Sequence, residues 1–406
     1  MSRIRVGVIG CGYWGPNLVR TFLEIPDATV VAVADRDPTR LEFVQIRHPH
    51  IQHFLTDHTQ MFDLGLDAVV VSTPPESHHA IARECLKQGL DVLVEKPLAT
   101  NSRDALELVD LAEANDQILL VGHIGVYNPA VRTLKGMIDA GELGEIRYVD
   151  AVRAGLGVFH PSLNVVWDLA PHDVSILLHL IGGKLESVST RGVGCVRSDV
   201  EDVAYLTMMF EDGTLAHSRL SWLDPFKTRR ITVIGSEKMV VYDDLEAHEK
   251  LKVYDKRVSA IRRTDTFGEF QFTYHYGSVV SPYIRYEEPL RVEALHFLDC
   301  VRDRAQPLTD GRNGLRVVQV IEAAQDSLRG GGSPISIANG QPYHPVPHPV
   351  AVGSDGSSPV TDVLLNIARN GNGQNGDAVL TSDMPHSTRA APRSPRPDGG
   401  SRRRAR

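Results

Sequence analysis

Three groups of residues in this 406-residue chain combine types and spacings that could do chemistry. The first is the loop Gly10-Cys11-Gly12-Tyr13-Trp14-Gly15, followed about twenty residues later by Asp35. Its glycines do separate jobs: Gly10 permits a tight turn, Gly12 lets the backbone approach a pyrophosphate, and Gly15 lets a helix pack closely on a strand. Asp35 is placed to bind ribose hydroxyls, so this group reads as a dinucleotide site. The second is Lys96, between Glu95 and Pro97 after an apolar run, where ligands bind in open α/β sheets. The third is the pair Asp168 and His172, one helical turn apart and so on one helix face. An imidazole titrates near neutral pH without help, and burial beside a cofactor lowers the pKa of a lysine. An imidazole and a lysine so placed could exchange protons with a molecule bound beside the dinucleotide.

The elements that must position these groups follow from periodicity. Residues 4–9 read as a buried strand and 17–23 as a helix, whose N-terminus offers free N–H groups to phosphates. Asp35 closes a second strand at 30–34. A strand at 68–72, a helix at 77–88 ended by Gly89, a strand at 91–94, a helix at 102–115 and a strand at 118–122 continue the alternation. This predicts an α/β, doubly wound parallel sheet of Rossmann type over residues 1–122. From about residue 146 strands succeed one another, at 146–154, 187–196, 202–210, 214–222, 229–235 and 238–243, with turn pairs such as Asp212-Gly213 between them. Helices are expected at 172–180, 290–303 and 311–328. Residues 123–345 are thus an α+β domain with a large, mostly antiparallel open sheet. Residues 346–406, rich in Pro, Gly, Ser, Asn and Asp, are predicted to be a disordered tail.

Composition narrows the partners. A net charge of −8 argues against a nucleic-acid-binding core, and no apolar run is long enough for a membrane helix. The four cysteines are scattered, which predicts neither disulfides nor a thiolate metal site, and His48, His50, His53 and His58 lack carboxylate support. No metal is expected. A cleaved leader would remove the glycine loop, so a cytoplasmic location is expected.

Taken together, the motifs resemble the glucose–fructose oxidoreductase, inositol dehydrogenase and rhizopine catabolism family, Gfo/Idh/MocA. The resemblance covers roughly residues 1 to 340. It rests on the glycine loop, Thr73-Pro74 with His78, Glu95-Lys96-Pro97, Gly122-His123, Asn128-Pro129, and Trp167-Asp168-Leu169-Ala170-Pro171-His172-Asp173. It implies an NAD(P)-dependent dehydrogenase in which Lys96, Asp168 and His172 are catalytic. His172 is cast as the acid/base and Lys96 as a polarising or proton-relaying group; which of the two makes the primary transfer stays open. The Trp-to-Asp segment is similar to that of members oxidising the 3-hydroxyl of nucleotide-linked N-acetylhexosamines or their uronic acids. One departure stands out: Val126-Tyr127 precedes Asn128, where such members often carry Arg-Phe, so a guanidinium expected near substrate or nicotinamide is missing. The alternatives are an inositol or free-sugar dehydrogenase on the same scaffold, or a non-catalytic metabolite sensor, against which the presence of all three catalytic candidates argues.

The expected cofactor contacts are Gly10, Gly12, Tyr13, Trp14, Gly15, Asp35, Arg36, Thr73, Pro74, His78, Glu95, Lys96 and Trp167. Asp35 favours NAD over NADP because a carboxylate repels a 2′-phosphate, although Arg36 beside it could neutralise one. The expected substrate contacts are Lys96, Arg153, His160, Asn164, Asp168 and His172, serving a sugar or nucleotide sugar. Leu215, Leu220 and Trp222, among polar residues in strand 214–222, suit a subunit interface, which predicts a homodimer or homotetramer built through the second sheet.

Overall fold

Strands that are apolar on both faces need cover on both sides, and the first six strands receive it. The structure, a computed structural model, describes residues 3–159, 163–260 and 272–337. His160 and the 346–406 tail lie outside the described residues. Strands β1 (Ile4–Ile9), β2 (Ala28–Ala34), β3 (His53–Leu55), β4 (Ala68–Val71), β5 (Asp91–Glu95) and β6 (Leu119–Gly122) form a parallel sheet in the order β3-β2-β1-β4-β5-β6. Helices α1 (Gly15–Leu23), α2 (Pro38–Arg47), α3 (Pro75–Lys87) and α4 (Ser102–Ala114) connect it. Strand order reverses between β1 and β4, which opens a crevice at the carboxyl ends. Register aligns those ends. Ile9 pairs with Ala34 and with Val71, Val71 with Val94, and Glu95 with Gly122. The glycine loop, Asp35, Thr73-Pro74 and Lys96 therefore leave the sheet along one edge.

Helix α5 (Pro129–Asp139) is one the sequence reading passed over; Asn128 caps it by accepting from the Ala130 N–H at 2.9 Å. The second sheet follows: β7 (Ile146–Ala154), β8 (Leu185–Val193), β9 (Val203–Phe210), β10 (Leu215–Ser221), β11 (Thr228–Gly235), β12 (Met239–Asp243), β13 (Leu251–Ala260), β14 (Phe272–Val280) and the short β15 (Ile335–Ser336). Its order is β14-β13-β12-β11-β7-β10-β9-β8-β15, antiparallel except for the parallel β7–β10 pair. As expected, it is large and mostly antiparallel; β13 and β14 were not anticipated.

Helix α6 (Val165–Ile181) begins seven residues before the expected start at 172. Asn164 caps it, accepting from the Trp167 N–H at 3.2 Å, and Pro171 lies inside it. Read from the sequence, that proline marks a helix start rather than an interior position. The earlier start places Asp168 and His172 on one continuous helix. Helix α6 and α8 (Gly311–Arg329) cover the sheet, burying Val149, Ala151, Leu206, Met208, Ile231 and Val233. Leu220 and Trp222 also turn into this core, so two of the three residues taken to mark an intersubunit face are internal. The opposite face carries Tyr148 and Tyr205, both half-exposed, and Leu215.

Helix α7 (Pro289–Asp303) returns to the first sheet: Leu290, Ala294, Phe297 and Leu298 pack with Val8, Phe22 and Val33. Phe297 meets Phe22 edge to face at 6.4 Å. Helix α8 serves both cores, placing Leu315 and Val318 against the first and Val317, Val320 and Ile321 against the second. Among the described residues no helix is long and apolar enough to cross a membrane.

Candidate active site

The dinucleotide end is built from the glycine loop. Gly10 has φ +100°, and a Cβ there would lie 2.7 Å from the Ser72 carbonyl. A Cβ on Gly15 would lie 2.0 Å from the Gly10 oxygen, so helix α1 can sit this close to β1 only without a side chain at that position. Gly12 meets nothing closer than Arg40 Nη1 at 3.6 Å, leaving its side of the loop open. No side chain caps α1 and no acidic residue occupies its first turn, so its N-terminal dipole faces that opening unneutralised. Asp35 is fixed by the loop it serves: its carboxylate accepts from the Cys11 N–H at 2.6 Å and the Asp37 N–H at 2.9 Å. Arg36 is exposed, and the guanidinium nearest Asp35 is that of Arg40, at 3.9 Å. These features fit NAD: an open glycine cradle for the pyrophosphate, a helix N-terminus, and a carboxylate at the end of β2 for ribose hydroxyls. Tyr13 projects from the loop, 95% exposed. Trp14 packs on the first core, and its indole donates to the Glu95 carboxyl.

His78 is buried, and its ring nitrogens lie 2.8 Å from the main-chain carbonyls of Pro97 and Thr73. It staples the turn after β4, with Thr73 and Pro74, to the turn after β5. Its polar atoms face those turns rather than a ligand.

At the end of β5, Lys96 Nζ donates to the Asp168 main-chain carbonyl at 3.3 Å, across the junction of the two halves. Burial pushes this ammonium down, and Arg153 adds to the effect, against the opposing pull of Asp168 and Glu95. Glu95 occupies space that Gly122 leaves by lacking a side chain; a Cβ there would lie 3.2 Å from its carboxyl. Burial pushes Glu95 up to about 7. Two further groups stand close by: His123, which the sequence reading quoted in the Gly122-His123 motif without giving it a role, and Glu293, which it did not mention. His123 is 2% exposed with both ring nitrogens unpartnered, and burial with Lys96 drives it down to about 3. Glu293, on α7, is fully buried with neither carboxyl oxygen hydrogen-bonded, and burial followed by Glu95 raises it well above the carboxylate range. In both, burial favours the uncharged form. Glu293 had no local signal, since its place at the site depends on a helix far away in sequence.

On α6, burial holds the His172 imidazole well below its ordinary pKa, helped by Lys96, Arg153, His123 and Arg229. It is a neutral ring, able to accept a proton. The Asp168 carboxylate accepts from Trp222 Nε1 at 2.9 Å, so its hydrogen bond goes to the sheet and not to His172. Arg153 is held next to the site by Asp173, which it reaches at 2.7 Å; Asp173 in turn accepts from Ser218 Oγ at 2.9 Å. Asn164, expected to bind substrate, is instead spent on the helix cap and on donating to Glu201 and Gln325, both at 2.8 Å. Trp167 is partly buried against the second core. Val126 is buried, in a 3₁₀ turn at Ile124–Tyr127. The structure thus brings Lys96, Asp168, His172 and Arg153 together and adds His123, Asp173 and Arg229.

Comparison with known proteins agrees with this geometry. Residues 4–123 match the model of the oxidoreductase family with an NAD-binding Rossmann fold, and residues 131–241 match the GFO/IDH/MocA C-terminal domain. The chain is 26% identical over 345 residues to the scyllo-inositol 2-dehydrogenase (NAD(+)) of Bacillus subtilis, covering 81% of this chain and 95% of that protein. It is 28% identical over 269 residues to the UDP-N-acetylglucosamine 3-dehydrogenase of Acidithiobacillus ferrooxidans, covering 64% and 80%. A solved structure of the latter superposes with a TM-score of 0.67 at 24% identity, covering 82% of this chain and 99% of that one. Two family models in series, the glycine cradle with its carboxylate, and a lysine hydrogen-bonded to the helix that carries His172 lead to one conclusion: the chain belongs to the Gfo/Idh/MocA family and is an NAD-dependent oxidoreductase.

Proposed function

We propose that this enzyme oxidises a secondary hydroxyl, the 3-hydroxyl, of a sugar or nucleotide sugar, transferring hydride to NAD. The observation that carries the reading is the contact of Lys96 Nζ with the Asp168 carbonyl beside a neutral His172. NAD, when bound, supplies the hydride acceptor. His172 takes the hydroxyl proton, since its surroundings keep the ring unprotonated at neutral pH. Lys96 donates to the same oxygen and stabilises the carbonyl as it forms, a role suited to an ammonium anchored by one main-chain carbonyl. Asp168 turns its carboxylate to Trp222 and fixes the helix on the sheet, so its contribution is to present both its own carbonyl and His172. Among the site's other groups, Asp35 selects NAD, and Arg153 contacts the substrate from β7.

A second reading, inositol or free-sugar oxidation on the same scaffold, is supported by the inositol dehydrogenases among the relatives. Purified protein with NAD or NADP and a panel of sugar nucleotides, inositols and free sugars distinguishes the two by absorbance of the reduced nicotinamide. Signal with nucleotide sugars, lost in Lys96→Ala and His172→Ala, supports the first reading. Signal with inositols alone overturns it. The open sheet face carrying Tyr148, Tyr205 and Leu215 is the proposed surface for a homodimer or homotetramer, which sedimentation tests directly.

A further inference from the structure

Lys96 and Asp168 carry opposite charges and touch, yet among the described residues they form no ion pair. The ammonium donates to the Asp168 main-chain carbonyl at 3.3 Å, while the carboxylate of the same residue turns to the second sheet. An ionised acceptor makes the stronger hydrogen bond, so this choice needs a competitor for the carboxylate. Trp222, just after β10, supplies it. Its Nε1–H donates to Asp168 Oδ2 at 2.9 Å, and among the described residues no other group bonds that carboxylate.

The indole is fixed on several sides. Trp222 is buried in the second core. Its main-chain N–H donates to the Asp202 carbonyl, and its own carbonyl accepts from the Gly157 N–H, both at 2.9 Å. A Cβ on Gly157 would lie 2.9 Å from the Trp222 Cδ1, the carbon next to the donating nitrogen, so a side chain there would push the ring aside. Phe159 closes another edge, with 5.6 Å between ring centroids. An indole N–H can donate but not accept, and the torsion that turns a carboxylate is soft. The rigid ring therefore sets where the carboxylate points.

We propose that Trp222 is a positioning residue for the reaction: its N–H holds the Asp168 carboxylate off Lys96, so that the ammonium keeps its remaining N–H groups for the oxygen of the reacting hydroxyl. This rests on the reading of the site as a dehydrogenase of a secondary alcohol. An ammonium has three donors, and the Asp168 carbonyl takes one of them. A carboxylate on Nζ would take the charge as well, and burial strengthens such a pairing. The positive field that steadies negative charge on the reacting oxygen would then be spent within the protein.

The test deletes the donor and keeps the ring. In the full chain, position 222 takes benzothienylalanine, in which sulfur replaces the indole N–H, and separately Trp222→Phe. Crystal structures of both variants with NAD are expected to show the Asp168 carboxylate moved onto Lys96 Nζ. With a substrate from the panel, kcat should fall about ten- to a hundred-fold, the worth of one hydrogen bond to a charged group, while KM and the Kd for NADH change little. In an Asp168→Asn background, which has no charge to give Lys96, the same deletion should cost much less. A carboxylate that stays in place overturns the proposal, as does an equal loss with and without the Asp168 charge. Loss of NADH binding in step with kcat overturns it too, since Trp222 would then only hold the fold. Phenylalanine leaves a cavity, so the sulfur analogue carries the test if Trp222→Phe does not fold. Should no alcohol be oxidised, the reading of the reaction fails, and the crystal structures still decide whether Trp222 keeps the carboxylate from Lys96.

Discussion

Lys96 Nζ and the main-chain carbonyl of Asp168 lie 3.3 Å apart, although 72 residues separate them in sequence. The contact joins the end of a parallel strand to the first turns of a helix in the other half. Removing the ammonium leaves the glycine cradle and Asp35 untouched. Lys96→Ala should therefore lower kcat by about 10²- to 10³-fold, the usual worth of one donor aimed at a developing charge on oxygen, while the Kd for NAD changes much less. Stopped-flow turnover together with NADH fluorescence titration checks both halves. A parallel loss of cofactor binding would show that Lys96 shapes the cleft and does not act in the reaction.

The neutral His172 carries a pH signature. A base must be unprotonated to work, and its pKa lies well below 6.5 because burial and four neighbouring basic groups oppose its charge. The acid-side fall in kcat/KM contributed by this ring should therefore lie well below pH 6.5. Replacing Arg153 by Gln removes one of those cations and should move the limb toward neutrality. A limb that stays put in Arg153→Gln would rule out this electrostatic account.

Glu293 gives a stability prediction with a defined sign. Its folded pKa is raised, so above the ordinary carboxylate range the folded protein keeps a proton that the unfolded chain has released. Wild-type stability then falls as pH rises through that window, by at most about 1.4 kcal/mol per pH unit for one proton. Glu293→Gln has no proton to hold. Its Tm relative to wild type should climb between pH 5 and pH 8 in paired melting curves; a constant difference would mean that Glu293 ionises freely.

Asp173 is the only carboxylate ion-paired to Arg153 among the described residues, and both side chains are largely buried. Asp173→Ala strands the guanidinium and should cost about 3–5 kcal/mol. The double variant Asp173→Ala with Arg153→Met should recover much of the loss, because it removes the orphaned charge as well. Chemical denaturation of the single and double variants measures the coupling.

Local patterning was enough to foresee the parallel sheet and the glycine turn, because each of those signals sits within a short window; Lys96 and His172 were singled out by the resemblance to the family, not by their neighbourhoods alone. Strand period, a turn glycine with positive φ, and a four-residue Asp-to-His spacing are all readable without tertiary knowledge. What escaped depends on packing partners distant in the chain. Asn164 looked like a ligand contact because a polar residue ahead of the Trp167 segment can face either substrate or backbone. Only the true start of α6 reveals it as a cap. Leu220 and Trp222 looked like interface residues because alternation fixes which side chains share a face but not which face is covered. The pairing of Arg229 with Arg153 requires a strand register that joins residues 76 positions apart, and neither neighbourhood announces it.

The return of α7 to the first sheet has a consequence for how the protein is made. When a ribosome has released residues 4–122, every strand of the parallel sheet exists, yet the helix that seals one of its faces does not. Phe22, Val8 and Val33 must wait for Leu290, Ala294 and Phe297, more than 160 residues of synthesis later, before their side of the core is dry. At elongation rates of about 5–20 residues per second that delay lasts roughly ten to thirty seconds. Through it the nascent dinucleotide fold presents an oily face to the cell, and only the second half's own completion withdraws it.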